Sequence, residues 1–177
     1  MTSSGFTLWL TGLSGAGKST LAAAAGKKLS ALGRRMEVLD GDLLRKDLCK
    51  DLGFSREDRE ENIRRIAFVA DVLARQGTIV LVAAISPYRK MRQEARERIA
   101  GRFFEVYVRA PIELCEKRDT KGLYKRARAG EILLFTGISD PYEPPAHADL
   151  VCDTEKESVR ECVGKIIRLL EEAGVLT

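Results

Sequence analysis

The chain has 177 residues, of which 45% are hydrophobic and 32% are charged, and its formal net charge at pH 7 is +4. This composition is typical of a globular domain, while the small net charge does not favour binding to nucleic acid. No apolar run reaches the roughly 18 residues of a membrane span, and the N-terminal segment lacks the basic and apolar regions of a signal peptide. We therefore expect one cytoplasmic domain over residues 1–177, bound to neither nucleic acid nor membrane.

Short apolar runs alternate along the chain with segments of helical periodicity. The runs predict strands at Phe6–Thr11, Met36–Leu39, Thr78–Ile85, Phe103–Val108 and Asp149–Cys152. The periodic segments predict helices at Lys18–Leu32, Arg56–Arg75 and Ser158–Ala173, the last with the spacing of a capping box. Strands separated by helices predict an α/β fold with a parallel sheet covered on both faces.

The cysteines and the histidine do not indicate a metal centre. Cys49, Cys115, Cys152 and Cys162 lie far apart and include no CxxC pair, which favours reduced, partly buried thiols over a zinc site or disulfides. The only histidine, His147, does not favour a catalytic histidine or a histidine-based metal site.

The segment GLSGAGKS, Gly12–Ser19, has the spacing of a phosphate-binding loop between a strand and a helix. Its glycines let backbone N–H groups converge on phosphate oxygens, and the positive end of the helix points at them. Lys18 is placed to reach the β- and γ-phosphates, and Ser19 is placed to bind Mg²⁺. The loop predicts a site for ATP or GTP, formed by Gly12, Ser14, Gly15, Ala16, Gly17, Lys18, Ser19 and Thr20.

Acidic residues are absent from Thr78–Ile85, a strand where many nucleotide hydrolases carry the aspartate that supports Mg²⁺. The segment LDGD instead offers Asp40 and Asp42 at the end of the second predicted strand. Because the carboxyl ends of parallel strands line the ligand crevice, both can face Mg²⁺ and an acceptor. Paired acids favour a kinase, in which one carboxylate orients the acceptor hydroxyl. A turn with two solvated acids is the alternative interpretation.

Three further stretches suit an anionic, partly aromatic ligand. Gly53–Arg65 has Phe54 at its head and then four basic and four acidic residues, although a solvated helix end with i,i+4 ion pairs would look the same. Ile85–Arg89, ISPYR, leaves the third predicted strand at the crevice and ends in a cation. Arg118–Gly137 is basic and rich in glycine, which suits a mobile lid over phosphates at about residues 119–138.

Together these motifs resemble the adenylylsulfate kinase family, which phosphorylates the 3′-hydroxyl of adenosine 5′-phosphosulfate. The similarity runs from about Phe6 to Pro145 and includes GLSGAGKST, LDGD..R, DLGFS..DR.ENIRR, ISPYR and RD.KGLYK.ARAGEI..FTGI.DPYE.P in this order. The resemblance implies a three-layer P-loop kinase fold with a five-stranded parallel sheet and a mobile basic lid. It also implies a Mg²⁺- and ATP-dependent enzyme of sulfate assimilation that makes 3′-phosphoadenylyl sulfate and ADP.

On the acceptor side, the resemblance implies an adenine sandwiched between Phe54 and Phe135. Asp42 would orient or deprotonate the 3′-hydroxyl, while Arg59 and Asn62 would hold the phosphosulfate and the ribose. The residues implied to bind adenylyl sulfate are Asp42, Arg45, Phe54, Arg59, Asn62, Ile85, Ser86, Lys121 and Phe135.

On the donor side, the resemblance places the adenine of ATP near Arg118 and Thr154. Ser19 would bind Mg²⁺, with Asp40 acting directly or through water. The residues implied to be catalytic are Lys18, Asp40 and Asp42. Ser86 is also an implied modification site, because some relatives are phosphorylated at the serine of ISPYR.

The chain departs from the family pattern at two places beside the acceptor pocket. Leu43-Leu44 stands where Asn-Ile is usual, and Leu133-Leu134 stands where Lys-Gly is usual. The alternatives are therefore a kinase for another nucleotide conjugate, such as a cytidine phosphoramidate, and a nucleotide-binding module without turnover. The resemblance also implies a homodimer and a functional link to a separate or fused ATP sulfurylase.

Overall fold

The computed structural model describes residues 5–99 and 102–176. Within these ranges a sheet is built from β1 (Phe6–Thr11), β2 (Met36–Asp40), β3 (Ile79–Ala83), β4 (Arg102–Arg109) and β5 (Leu150–Asp153). The strand order across the sheet is β2-β3-β1-β4-β5, and every neighbouring pair is parallel. The predicted five-stranded parallel sheet of an α/β fold is confirmed.

Helices connect the strands over their faces. They are α1 (Lys18–Ala31), α2 (Gly41–Leu44), α3 (Arg56–Arg75), α4 (Arg89–Arg98), α5 (Ile112–Arg118), α6 (Leu123–Arg128) and α7 (Val159–Glu172). The predictions for α1, α3 and α7 are confirmed to within a residue at each end, and Ser158 and Glu161 form the predicted capping box before α7. Within the described ranges, none of these helices has the length and apolar character that crossing a membrane requires.

The side chains of β1 alternate between two apolar layers. Phe6, Leu8 and Leu10 pack with residues of α1 and α7, while Trp9 packs on the other face with residues of α3 and α4. The central strands are therefore buried on both faces, which explains why they read as continuous apolar runs. The result is the predicted three-layer arrangement of helices, sheet and helices.

The parallel sheet also fixes where a ligand site can form. All the described strands end at the same edge, and in an open α/β sheet that edge holds the ligand crevice. The phosphate loop, residues 12–17, follows β1 there, and Asp40 is the last residue of β2. Ile85 follows β3 and Thr154 follows β5 at the same edge.

Candidate active site

A cavity of about 810 Å³ lies at the carboxyl edge of the sheet. The phosphate loop lines one part of it, and Phe54, Asn62 and Phe135 line another. This volume lies within the range of about 300–1,000 Å³ that small-molecule sites usually have. Apart from Gly12 and Asp40, all the site residues predicted from the sequence line this one cavity.

The phosphate loop has the backbone geometry that its glycines permit. Gly15 and Gly17 have φ angles of 75° and 106°, which side-chain-bearing residues rarely adopt. Gly17 is the N-cap of α1 and provides no side-chain cap, and the first turn of α1 contains no acidic residue. The helix therefore begins with N–H groups that are available to an anion.

Lys18 is the cation of this loop. Its Nζ donates hydrogen bonds to the carbonyl oxygens of Gly12 at 2.9 Å and Leu13 at 2.7 Å. The residue is only 9% exposed. Burial lowers the pKa of Lys18 from 10.5 to about 8, and the nearby carboxylate of Asp42 partly opposes this effect. A polyanion bound at the loop would add a charged partner for this ammonium, because the two acceptors of its hydrogen bonds are neutral carbonyls.

Ser19 and Asp40 form a pair of oxygen ligands beside the loop. Ser19 Oγ donates to Asp40 Oδ2 at 2.6 Å. The other oxygen of Asp40 caps α2 by accepting from the N–H groups of Asp42 at 2.9 Å and Leu43 at 3.3 Å. The cap fixes the carboxylate in place, and a hydroxyl next to a carboxylate is a donor set that suits Mg²⁺.

Asp42 lies in the first turn of α2 and contacts Lys121 in the segment 119–138. Lys121 Nζ donates to Asp42 Oδ2, and both side chains are at least half exposed. An exposed ion pair of this kind contributes only about 0–1 kcal/mol to stability. The contact can therefore give way readily when a ligand takes the place of either partner.

Phe54 forms part of the opposite wall together with two arginines. The Phe54 ring is accessible, since the residue is 56% exposed, and the guanidinium carbon of Arg45 lies 4.6 Å from its centroid. Burial and the positive charge of Arg59 both lower the pKa of Arg45. Two guanidinium groups held this close favour an anionic ligand, because an anion relieves their repulsion.

Asn62 contributes an unpaired polar atom to the same wall. It is 7% exposed, and its Oδ1 has no hydrogen-bond partner among the described residues. An unpaired buried acceptor costs about 1–3 kcal/mol, so its presence in a cavity wall points to a ligand that donates a hydrogen bond. Phe135, which also lines the cavity, is half-buried, and its ring lies nearly perpendicular to that of Tyr124, with 5.0 Å between the centroids.

Arg118 and Thr154, which also line the cavity, hold the backbone of the phosphate loop. Arg118 Nη1 donates to the Gly15 carbonyl at 3.1 Å, and its Nη2 donates to the Thr154 carbonyl at 2.7 Å. Thr154 Oγ1 donates to the Ala16 carbonyl at 2.8 Å. These bonds pair the Gly15 and Ala16 carbonyls with side chains and so fix the backbone of the loop.

Ser86 has a buried hydroxyl in this structure. Its Oγ accepts from Trp9 Nε1 at 3.0 Å and donates to the Ala84 carbonyl at 3.3 Å. The residue has a φ of 42°, which is uncommon outside glycine. Phosphorylation of Ser86 stays a prediction, and it would require these contacts to open.

Sequence reasoning missed the neutral hydroxyls that organise the site. Tyr124 Oη donates to the Ser14 carbonyl at 2.8 Å, and Thr136 Oγ1 accepts from Arg59 at 2.6 Å. Both residues lie in the motifs already quoted, but a hydroxyl adds nothing to a charge or hydropathy pattern. Only the resemblance to the family, whose motifs include Tyr124 and Thr136, could have pointed to these two residues.

The cysteines are all buried and free. Cys152, Glu157 and Cys162 come together, with ligand atoms within 4.8 Å of one another, which their spacing in the sequence did not predict. Lys165 donates to Glu157 Oε1 at 2.8 Å, and burial raises the pKa of both thiols. The carboxylate of Glu157 is therefore already paired with the ammonium of Lys165.

Comparisons with known proteins agree on one family. The model of the family described as adenylylsulphate kinase matches residues 4–153. The adenylyl-sulfate kinase of Synechococcus sp. strain JA-3-3Ab is 58% identical over 172 residues, which are 97% of each protein. The structure of the Mycobacterium tuberculosis APS kinase CysC in complex with AMPPNP and APS has a TM-score of 0.92 and 49% identity, covering 94% of this chain and 98% of that one. A hexameric APS kinase from Thiobacillus denitrificans has a TM-score of 0.77 and 36% identity, covering 99% of this chain but 30% of that one.

Proposed function

The chain belongs to the adenylylsulphate kinase family, and from this premise we propose that it transfers the γ-phosphoryl group of ATP to the 3′-hydroxyl of adenosine 5′-phosphosulfate. The products are ADP and 3′-phosphoadenylyl sulfate. The observation that carries the proposal is the shared cavity, in which a phosphate loop and an aromatic, cationic wall line one space. Such a cavity can hold donor and acceptor together, and phosphoryl transfer depends chiefly on this positioning.

The donor half binds and neutralises phosphates. Lys18 and the N–H groups at the start of α1 stabilise negative charge on the transferring group, in a site where burial strengthens each contact. Arg118 and Thr154 keep the loop in the conformation that presents those N–H groups. The contacts of Arg118 and Thr154 therefore support a structural role in the donor site, in addition to the role near the adenine that the resemblance implies.

Ser19 and Asp40 are the residues that would hold Mg²⁺. The support is their pair of adjacent oxygens, with Asp40 fixed by its bonds to the α2 backbone. When bound, Mg²⁺ neutralises charge on the phosphate oxygens of ATP. Asp40 thereby acts at the donor, which leaves Asp42 to act at the acceptor.

The acceptor half orients the nucleophile. Asp42 hydrogen-bonds the 3′-hydroxyl and takes its proton as the new O–P bond forms and the bond to the ADP oxygen breaks. The unpaired Oδ1 of Asn62 supports a ribose hydroxyl as its partner. Phe54 and Phe135 stack on the adenine, and Arg45 lies where it can meet the anionic phosphosulfate.

The basic lid, residues 119–138, excludes water so that ATP is not simply hydrolysed. The Lys121 contact with Asp42 supports a lid that closes directly onto the acceptor side. We further infer from the family a cytoplasmic homodimer, linked in sulfate assimilation to a separate or fused ATP sulfurylase. The hexameric relative supports only a tendency of the family to assemble.

An acceptor panel tests the proposed function. With Mg²⁺ and ATP, coupled ADP release is measured for adenylyl sulfate, AMP, adenosine and a cytidine phosphoramidate, and the position of the new phosphate is fixed by ³¹P NMR. We expect adenylyl sulfate to have a kcat/KM at least about 100-fold above AMP, because AMP lacks the outer anion and so loses its charge-assisted contacts with the cations of the wall. A cytidine conjugate that outperforms adenylyl sulfate would overturn the assignment, and acceptor-independent ADP release would also contradict it.

A further inference from the structure

Arg59 joins the two aromatic residues of the cavity wall. It projects from α3, is 7% exposed, and donates through Nε to the Phe54 carbonyl at 2.9 Å. Its Nη1 donates to Thr136 Oγ1 at 2.6 Å, and its Nη2 donates to the Leu134 carbonyl. Leu134 and Thr136 flank Phe135 in the chain. One guanidinium therefore ties the backbone of Phe54 to both neighbours of Phe135.

These hydrogen bonds stabilise backbone and side-chain positions that neither the φ preferences of the residues nor burial would stabilise. Leu134 has a φ of 57°, in the left-handed region that disfavours residues with a side chain. Phe54 is largely exposed, so burial does little to fix its place. Thr136 is 2% exposed, and its hydroxyl is the only side-chain acceptor among the hydrogen bonds that Arg59 makes within the described residues.

We propose that Arg59 and Thr136 are positioning residues that set the separation of Phe54 and Phe135, and hence the fit of the acceptor's base. This inference rests on the proposed function and assigns a role to Thr136 in it. A guanidinium has more N–H groups than these three acceptors use, so Arg59 can position the rings and still face an anion. The two roles differ in what they predict for a variant that changes no charge.

Thr136→Val removes the hydroxyl but keeps the shape and the charge of the site. In steady-state assays with adenylyl sulfate and Mg²⁺-ATP, we expect the acceptor KM to rise about tenfold while the KM for ATP stays within twofold. Thr136→Ser restores the hydroxyl and should bring the acceptor KM back to within about twofold of the wild type. Thr78→Val is the matched control, because Thr78 is also buried but its hydroxyl has no hydrogen-bond partner within the described residues. It lies just before β3, at the opposite edge of the sheet, and should leave both KM values unchanged.

Two further measurements separate positioning from direct contact with the anion. Arg59→Lys keeps the charge but cannot span three acceptors, so we expect it to raise the acceptor KM at least as much as Thr136→Val. Phe135→Ala should cost less in the Thr136→Val background than in the wild type, because the ring is already misplaced there.

The kinetics of Thr136→Val decide whether the positioning role holds. An acceptor KM within twofold of the wild type for this variant overturns the inference, as do equal rises in both KM values or full additivity with Phe135→Ala. If the wild type turns over adenylyl sulfate, such a result overturns the positioning role alone. A wild type that does not turn over adenylyl sulfate overturns the proposed function, and the inference with it.

Discussion

Lys18→Met should make the ligand-free protein more stable while it abolishes turnover. The ammonium is buried, and its pKa is lowered from 10.5 to about 8. At about 1.4 kcal/mol for each unit of pKa, this difference corresponds to roughly 3 kcal/mol of stability that the charge costs at neutral pH. The methionine leaves the buried Gly12 carbonyl without a donor at a cost of about 1–3 kcal/mol, while the Leu13 carbonyl is only partly buried, so we expect a net gain of up to about 2 kcal/mol in the free energy of unfolding.

The pH dependence identifies the cause. Below pH 8 the Lys18 amine is protonated in both the folded and the unfolded chain, so the whole cost is present. Between pH 8 and 10.5 the unfolded chain binds the proton and the folded chain does not, so the wild type gains stability as the pH rises. The advantage of Lys18→Met should therefore shrink by about 2 kcal/mol between pH 7 and pH 9.5.

Urea unfolding followed by circular dichroism at both pH values measures this advantage. Lys27→Met is the control, because Lys27 lies on the same helix but is exposed, and we expect it to change stability by less than about 0.5 kcal/mol. Saturating ATP should reverse the order and make the wild type the more stable protein, since only the wild type binds the nucleotide well. A methionine variant less stable than the wild type at pH 7, or a pH-independent advantage, would refute the assigned cost of burying the ammonium.

Three more substitutions address the acceptor side. Asp42→Asn should lower kcat by about 100-fold or more with little change in melting temperature, because the amide cannot take the hydroxyl proton; near-full turnover would move that role to Asp40. Phe54→Ala should weaken acceptor binding by about 1–3 kcal/mol in calorimetry without changing ATP binding. Phe68 on α3 is similarly exposed but does not line the cavity, so Phe68→Ala should change the binding of neither ligand. The Leu134→Gly variant should have a free energy of unfolding in urea about 1 kcal/mol higher than the Leu133→Gly variant, because Leu134 has a positive φ and its exposed neighbour Leu133 does not. Equal free energies for the two variants would show that the backbone at Leu134 is unstrained.

The sequence was sufficient for the main elements of the fold. Strands buried on both faces are long apolar runs, and α3 carries a clear stripe of apolar residues, so patterning located both. Helices α2, α4, α5 and α6 were missed. Three of them, α2, α5 and α6, have only four to seven residues, and α4, RKMRQEARER, is so charged that its buried Met91 and Ala95 form no visible stripe.

The candidate site was predictable only in part. A phosphate loop is local in sequence, so spacing alone located Lys18 and Ser19. The contacts of Arg59 with residues 134 and 136 span 75 or more positions, and hydropathy and charge patterns do not encode such pairings. The role of Arg59 followed from the resemblance, whereas its partners required the folded chain.

The two departures from the family pattern differ in what they do to the site. Leu43 contributes an N–H to the cap on Asp40, which any residue other than proline can supply. Leu134 stands where the family usually has glycine, and its φ of 57° is one that glycine adopts without strain. Its carbonyl nevertheless accepts from Arg59, and this charge-assisted hydrogen bond offsets the strain because the backbone makes the contact. The backbone of Leu134 is thus held by Arg59, while its apolar side chain, 45% exposed, lines the cavity where glycine would leave bare backbone.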